Sequence, residues 1–73
     1  MQDYRKVVGN NVRALREQLG ISQEELGFRS NLDRTYVSGV ERGVRNPTVI
    51  VLARLATALG VEPSALLALR TGA

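Results

Sequence analysis

Apolar residues recur along the first part of the chain at the spacing of a helix. The repeating positions are Val8, Val12, Leu15 and Leu19. Steps of four, three and four residues place them on one face of a helix. Asp3 is a suitable N-cap and Gly20 a suitable C-cap for this segment. The pattern predicts an amphipathic first helix that packs its apolar stripe against a core.

A second, shorter helix is predicted to follow. Ser22 and Glu25 have the spacing of a capping box, in which the hydroxyl accepts a backbone N–H and the carboxylate reaches back to the cap residue. This helix should end near Asn31, because Asn tolerates the left-handed conformation that ends many helices. The side chains expected to supply its apolar contacts are those of Leu26 and Phe28.

A third helix is predicted at residues 34–42, with Asp33 as its N-cap and Gly43 as its stop. Val37 and Val40 lie three residues apart and should face the core. The residues on its other faces are Arg34, Thr35, Ser38 and Gly39. Two helices joined by so short a turn, the second with a polar face at its start, predict a helix-turn-helix at about residues 22–43.

The remaining residues predict two more helices and an apolar surface that their own domain does not cover. Thr48 should cap a helix that reaches Gly60, and Pro63 should begin a last helix that extends to about residue 69. The predicted core stripe of the first of these is Leu52, Leu55, Ala56 and Leu59. The excess apolar residues are Ile50, Leu67 and Leu69. Because one helix can bury only one stripe in its own domain, these residues predict a homodimer interface.

The composition limits the classes of function that the sequence supports. A chain of 73 residues has room for one domain, residues 1–73, and its net charge of +3 is compatible with nucleic acid. It contains neither histidine nor cysteine, so we expect no thiol or Ser-His-Asp catalysis, no metal and no cofactor. No apolar run has the length of a membrane span, and we expect a cytoplasmic protein without enzymatic activity.

Three strings carry a family resemblance: SQEEL at residue 22, LDRTYVSGVERG at residue 32 and RNPT at residue 45. In this order they resemble the lambda-repressor/Cro (Xre-like) family of DNA-binding domains, over about residues 8–67. The longer string SNLDRTYVSGVERGVRNPT is most similar to small controller proteins of bacterial restriction-modification systems. The resemblance implies an all-α, five-helix domain with a helix-turn-helix and with dimerisation helices at about residues 48–69.

The resemblance also implies which residues of the third helix contact DNA. The N-terminal part of a recognition helix enters the major groove, and Arg34, Thr35 and Ser38 lie on the outward face of this end. Arg34 would bind a guanine edge, and Thr35 would meet a base or a phosphate. Tyr36 either donates its hydroxyl to a phosphate or lies against the domain as a half-buried ring. Gly39 stands where the family often has a long polar side chain, which suggests a close approach of the helix to the groove or recognition of DNA shape.

Two further contacts of the motif follow from the resemblance. Arg16 would form a largely buried ion pair with Glu41; the alternative is two unrelated surface charges. Gln23 would contact the DNA backbone and brace the recognition helix; the alternative is a solvated helix residue. A phosphate at Gln23 would also suit the start of a helix, where backbone N–H groups point outward.

Residues 44–47 are predicted to form a loop, because the residue before a proline is disfavoured in a helix. Arg42, Arg45 and Asn46 cluster here. They would clamp the DNA backbone beside the recognition helix, or be ordinary solvated loop residues.

Together these features predict a transcriptional regulator that binds a palindromic operator in double-stranded DNA as a homodimer. The resemblance implies a restriction-modification controller, with RNA polymerase as a further candidate partner. The main alternative is an antitoxin-like module that uses the same fold to bind a protein. A small enzyme is disfavoured, because the acidic residues are scattered or act as caps and leave no acid-base pair.

Overall fold

The computed structural model describes residues 2–69 and shows four α-helices in that range. They are α1 (Tyr4–Gln18), α2 (Gln23–Ser30), α3 (Arg34–Glu41) and α4 (Val49–Leu59), followed by a 3-10 turn at Pro63–Leu66. The described part of the chain is otherwise turn and loop, without strands. None of its helices is both long and apolar enough to cross a membrane. Residues 1 and 70–73 of the predicted domain lie outside the described range.

Each α-helix begins at a side chain that accepts one of its free N–H groups. The four caps are Asp3, Ser22, Asp33 and Thr48. These are the caps that the sequence predicts. The capping box at Ser22 forms only in part: Ser22 Oγ accepts the Glu25 N–H at 3.0 Å, whereas the Glu25 carboxylate accepts a hydrogen bond from Arg29 Nε at 2.8 Å.

The core lies where the helices converge, and it is aliphatic. Its buried members are Val8, Val12, Leu26, Val37, Val40, Leu55, Ala56, Leu59 and Leu66. Leu15 and Leu52 pack against this cluster while partly exposed. Leu19 was predicted to complete the stripe of α1 but is exposed, since α1 ends at Gln18 and Leu19 already belongs to the turn.

The prediction of a fifth helix is wrong for the described residues. Where residues 63–69 were expected to be helical, only Pro63–Leu66 forms a single 3-10 turn. Leu67 N–H donates to Ser64 O and thereby closes the turn at 3.1 Å. Beyond this turn the backbone is not helical, and the carbonyls of Leu66 and Ala68 accept hydrogen bonds from the side chain of Asn11. The predicted pair of dimerisation helices is therefore α4 and a short turn.

Phe28 was predicted to pack in the core and instead lies on the surface, with 82% of its area exposed. The reason is geometric: successive helical residues are rotated by about 100°, so Leu26 and Phe28 point about 200° apart. Leu26 is fully buried, together with Gly27 and Ser30 on the same side of α2. Phe28 therefore faces solvent.

Candidate nucleic-acid interface

Helices α2 and α3 are joined by residues 31–33, which form a turn closed on α2. Asn31 adopts the left-handed conformation at φ 59°. Leu32 N–H then donates to Gly27 O at 2.8 Å. A Cβ atom on Gly27 would lie 2.6 Å from Leu32 O, so this turn depends on the absence of a side chain there. The local sequence thus sets the angle between α2 and α3.

A buried ion pair links α1 to the end of α3. Arg16 Nε donates to Glu41 Oε2 at 2.6 Å and Arg16 Nη2 donates to Glu41 Oε1 at 3.1 Å. The two side chains are 13% and 3% exposed, and the Glu41 carboxylate raises the pKa of the Arg16 guanidinium. A third donor, Arg16 Nη1, binds Ile21 O at 2.9 Å. Arg16 therefore fixes the α1–α2 turn and α3 together.

Gln23, the first residue of α2, also binds Glu41. Its Nε2 donates to Glu41 Oε1 at 3.1 Å, so the side chain braces α3 from the start of α2. The Gln23 side chain is only partly exposed, and this contact occupies its amide nitrogen. A phosphate contact at Gln23 would therefore be made by the backbone N–H groups at the helix start or by the remaining amide hydrogen.

The outward face of α3 begins with exposed polar residues. Arg34 and Thr35 occupy its first two positions and are exposed, while Tyr36 and Ser38 are half-buried. Asp33 Oδ1 accepts the Thr35 N–H at 2.7 Å, and this hydrogen bond is the main cause that lowers the pKa of the Asp33 carboxyl. Asp33 thus caps α3, and the side chains of Arg34 and Thr35 lie exposed at its N-terminal end.

Gly39, predicted to lie off the face of Val37 and Val40, is buried beneath Arg45. A Cβ atom on Gly39 would lie 2.7 Å from Arg45 Cγ, which shows how closely the arginine stem crosses the helix. Arg45 Cζ lies 5.8 Å from the centroid of the Tyr36 ring, within the range of a cation–π contact. The structure thus brings Tyr36 and Gly39 of α3 together with Arg45 of the following loop.

The loop after α3 is exposed. Arg42 is the C-cap of α3, and Asn46 lines a groove with Tyr4 and Pro47. Nothing in the sequence indicated that Arg45 would fold back onto α3.

The acidic and basic side chains of the helix-turn-helix differ in whether they have partners within the protein. Three of the motif's four acidic residues are engaged: Glu25 with Arg29, Asp33 as a cap and Glu41 with Arg16. The arginines of α3 and its following loop form no ion pair within residues 2–69; they are Arg34, Arg42 and Arg45. These three arginines therefore remain available for phosphates.

We expect Gly39→Ala to leave stability nearly unchanged and to weaken DNA binding up to roughly tenfold. Ala gains about 1 kcal/mol of helix propensity, and only the flexible Arg45 stem must move. Displacing that arginine would cost about one charge-assisted hydrogen bond, worth roughly 1.5 kcal/mol. The measurement is a titration of a DNA duplex that the wild-type protein binds. As the control, Gly39→Ala is also made in the Arg45→Ala background. An equal loss in both backgrounds would instead assign Gly39 to direct approach of the helix to the groove.

The three predicted dimer residues lie on the surface but not in one groove. Ile50, Leu67 and Leu69 are 65%, 43% and 52% exposed. Leu67 borders a groove with Tyr4, and Leu69 borders another beside Asn11. Ile50 lies on the side of α4 towards the end of α2. Leu67 and Leu69 thus follow the 3-10 turn, and Ile50 lies on α4.

Asn11 is not among the predicted site residues, although the sequence carries a signal for it. It lies three residues after Val8 and next to Val12, so it falls on the apolar face of α1. A polar residue at such a position needs a buried partner. The structure supplies two, the carbonyls of Leu66 and Ala68.

Comparison with known proteins agrees with this geometry. A family model described as helix-turn-helix matches residues 12–66. The uncharacterized HTH-type transcriptional regulator y4dJ of Sinorhizobium fredii is 54% identical over 60 residues, which are 82% of this chain and 78% of the relative. The chain therefore belongs to the helix-turn-helix family of the Xre-like type.

Solved structures specify the similarity further. The restriction-modification controller protein C.AhdI from Aeromonas hydrophila matches with a TM-score of 0.82 and 50% identity, covering 85% of this chain and 94% of that one. The controller C.Esp1396I, solved as a tetramer in complex with its natural 35-base-pair operator, matches with a TM-score of 0.81 and 35% identity over 90% and 87% of the two chains. The predicted similarity to restriction-modification controllers is confirmed.

Proposed function

We propose that this protein is a transcriptional regulator that binds double-stranded DNA sequence-specifically, as a homodimer on a roughly palindromic operator. One observation carries the proposal: the Arg16–Glu41–Gln23 contacts fix α3 while Arg34 and Thr35 extend from its N-terminal end. A recognition helix needs this combination of a rigid base and free polar side chains at the end that enters the major groove.

In the proposed complex, α3 of each protomer lies in a major groove. Arg34 would bind a guanine edge through its two-pronged guanidinium, and Thr35 and Ser38 would meet neighbouring bases. The start of α2 at Gln23 and the arginines that flank α3 would bind phosphates, because backbone contacts position the protein and base contacts give specificity. Tyr36 would act through the ring that supports Arg45.

We further propose a restriction-modification controller, because the chain matches C.AhdI and C.Esp1396I over most of its length. The same dimer would activate or repress according to the operator it occupies, and RNA polymerase is then the partner on which bound protein acts. We place the protein in the cytoplasm, without a cofactor and without catalytic activity of its own.

Selection of bound sequences from random duplex DNA tests the function. We expect a defined motif with two-fold symmetry, since a symmetric dimer presents two equivalent recognition helices. Binding that is salt-sensitive but without a motif, or no binding at all, would contradict the regulator and favour the protein-interaction module. An adjacent restriction enzyme and methyltransferase gene would support the narrower assignment to controllers.

Sedimentation equilibrium at micromolar concentration tests the homodimer. We expect the mean mass to rise with concentration towards twice that of the chain. Charge introduced at the interface should oppose association, so Leu67→Lys and Ile50→Lys are the test variants and Phe28→Lys is the control, because Phe28 is an exposed apolar residue outside the proposed interface. A mass that stays monomeric at every concentration would contradict the homodimer.

A further inference from the structure

Asn11 is a buried polar residue whose side chain connects two distant parts of the chain. It is 3% exposed, and its amide nitrogen Nδ2 donates to Leu66 O at 2.9 Å and to Ala68 O at 2.8 Å. Both hydrogens of the amide are therefore used on backbone carbonyls 55 and 57 residues further along the chain. Because a buried amide is costly unless it is hydrogen-bonded, its place in the core depends on this segment.

The segment that Asn11 holds has few other attachments. Leu66 is fully buried and anchors one end of it. Beyond Leu66, the Leu67 N–H bond to Ser64 O is the only backbone hydrogen bond that joins residues 67–69 to the described chain. The two carbonyls bound by Asn11 lie on either side of Leu67, and Leu69 follows directly. The amide thus fixes the backbone that carries both exposed leucines.

We infer that Asn11 is a positioning residue for dimerisation, which holds Leu67 and Leu69 in the direction needed to meet a second copy of the chain. The inference rests on the proposed homodimer. Association is weakened when a surface segment must become ordered as it binds. By fixing residues 66–68 in the monomer, Asn11 removes that cost before the partner arrives.

The choice of residue supports this role. Position 11 faces the core beside Val12, where an apolar side chain would pack without needing a partner. An aliphatic residue could not bind either carbonyl, and one hydroxyl hydrogen could satisfy only one of them at a time. The amide of Asn has two donors on one nitrogen, and both are occupied here.

The test compares Asn11→Ala and Asn11→Ser with Gln18→Ala, an exposed amide on the same helix. Three quantities are measured for each full-length variant: the circular dichroism spectrum, the dimer dissociation constant by sedimentation, and affinity for a duplex with a single half-site. We expect Asn11→Ala to raise the dimer dissociation constant about tenfold, as for the loss of two neutral hydrogen bonds. Asn11→Ser should lie between Asn11→Ala and the wild type, and Gln18→Ala should match the wild type.

Half-site binding separates positioning from general stability. It needs the folded motif but no dimer contact, so we expect it to stay within about twofold of the wild type in both Asn11 variants. Adding Leu67→Ala to Asn11→Ala should cost less than the sum of the two single effects on dimerisation, because the amide acts through that leucine.

The outcomes distinguish this inference from the homodimer itself. A wild-type chain that stays monomeric would overturn both. A wild-type dimer together with equally strong dimers in both Asn11 variants would overturn the positioning role and leave the homodimer standing. If both variants lose half-site affinity in parallel with dimerisation, or fail to fold, Asn11 supports the whole core and the positioning role is overturned.

Discussion

Arg16→Ala is expected to lower the free energy of unfolding by about 3 kcal/mol or more, because it leaves a buried carboxylate without its charged partner. Glu41 is 3% exposed and would keep only the hydrogen bond from Gln23. The same change removes the donor that binds Ile21 O, so the α1–α2 turn also loosens. Chemical denaturation at one fixed protein concentration measures the loss, since dimerisation contributes to apparent stability.

Arg13→Ala is the matched control. Arg13 lies on the same helix one turn earlier and pairs with Glu17 at 3.5 Å, but both side chains are more than half exposed. An exposed pair of this kind contributes less than about 1 kcal/mol. If Arg16→Ala cost no more than Arg13→Ala, the Arg16–Glu41 pair would behave as two surface charges and would not fix α3.

The parts of the fold that local chemistry determines could be predicted from the sequence. The caps at Ser22, Asp33 and Thr48 each act within three residues, so their spacing in the sequence is sufficient to place a helix start. The left-handed Asn31 is likewise a property of one residue. These short-range signals located the helix-turn-helix to within a residue or two at each end.

The last segment could not be predicted in the same way. Its pattern after Pro63 is compatible with a helix, and the run of apolar residues gives no stop signal. The backbone after the 3-10 turn is instead bound by Asn11, which lies 55 residues before the first carbonyl it binds. A contact of that range is set by the tertiary fold, which local propensity does not describe.

The candidate site likewise contains residues that local chemistry places and residues that only the tertiary fold places. The sequence indicated Arg34 and Thr35 because a cap and a helix start determine their place. The pattern placed Gly39 on a face away from Val37 and Val40, but it could not show that Arg45 of the following loop covers Gly39. Phe28 is different, since its rotation away from Leu26 follows from helical geometry and a stricter use of the 100° step would have placed it on the surface.

Arg34→Ala and Arg45→Ala are expected to weaken DNA binding in different ways. Arg34 is the first residue of α3, where a guanidinium can bind a guanine edge. Its loss should cost on the order of 1 to 3 kcal/mol per half-site on the best operator and relax the preference at one base pair, while affinity for unrelated DNA changes less.

Arg45 should behave as a phosphate contact. Its stem crosses Gly39 and its guanidinium lies over the Tyr36 ring, which directs the charge along the side of α3. Arg45→Ala should therefore weaken all sequences about equally and reduce the salt dependence by roughly one unit of slope per contact, or about two for a dimer.

A titration of both variants against operator and scrambled duplexes over a salt series distinguishes the two roles, with Arg13→Ala as the control for the loss of one positive charge outside α3 and its loop. The control should change neither base preference nor salt slope to a comparable degree. If Arg34→Ala weakened both duplexes equally while Arg45→Ala relaxed base preference, the roles would be reversed. Such a reversal would have a structural explanation, because Arg45 lies over α3. The loop arginine would then reach the base edges, and the phosphate contact would lie at the start of α3.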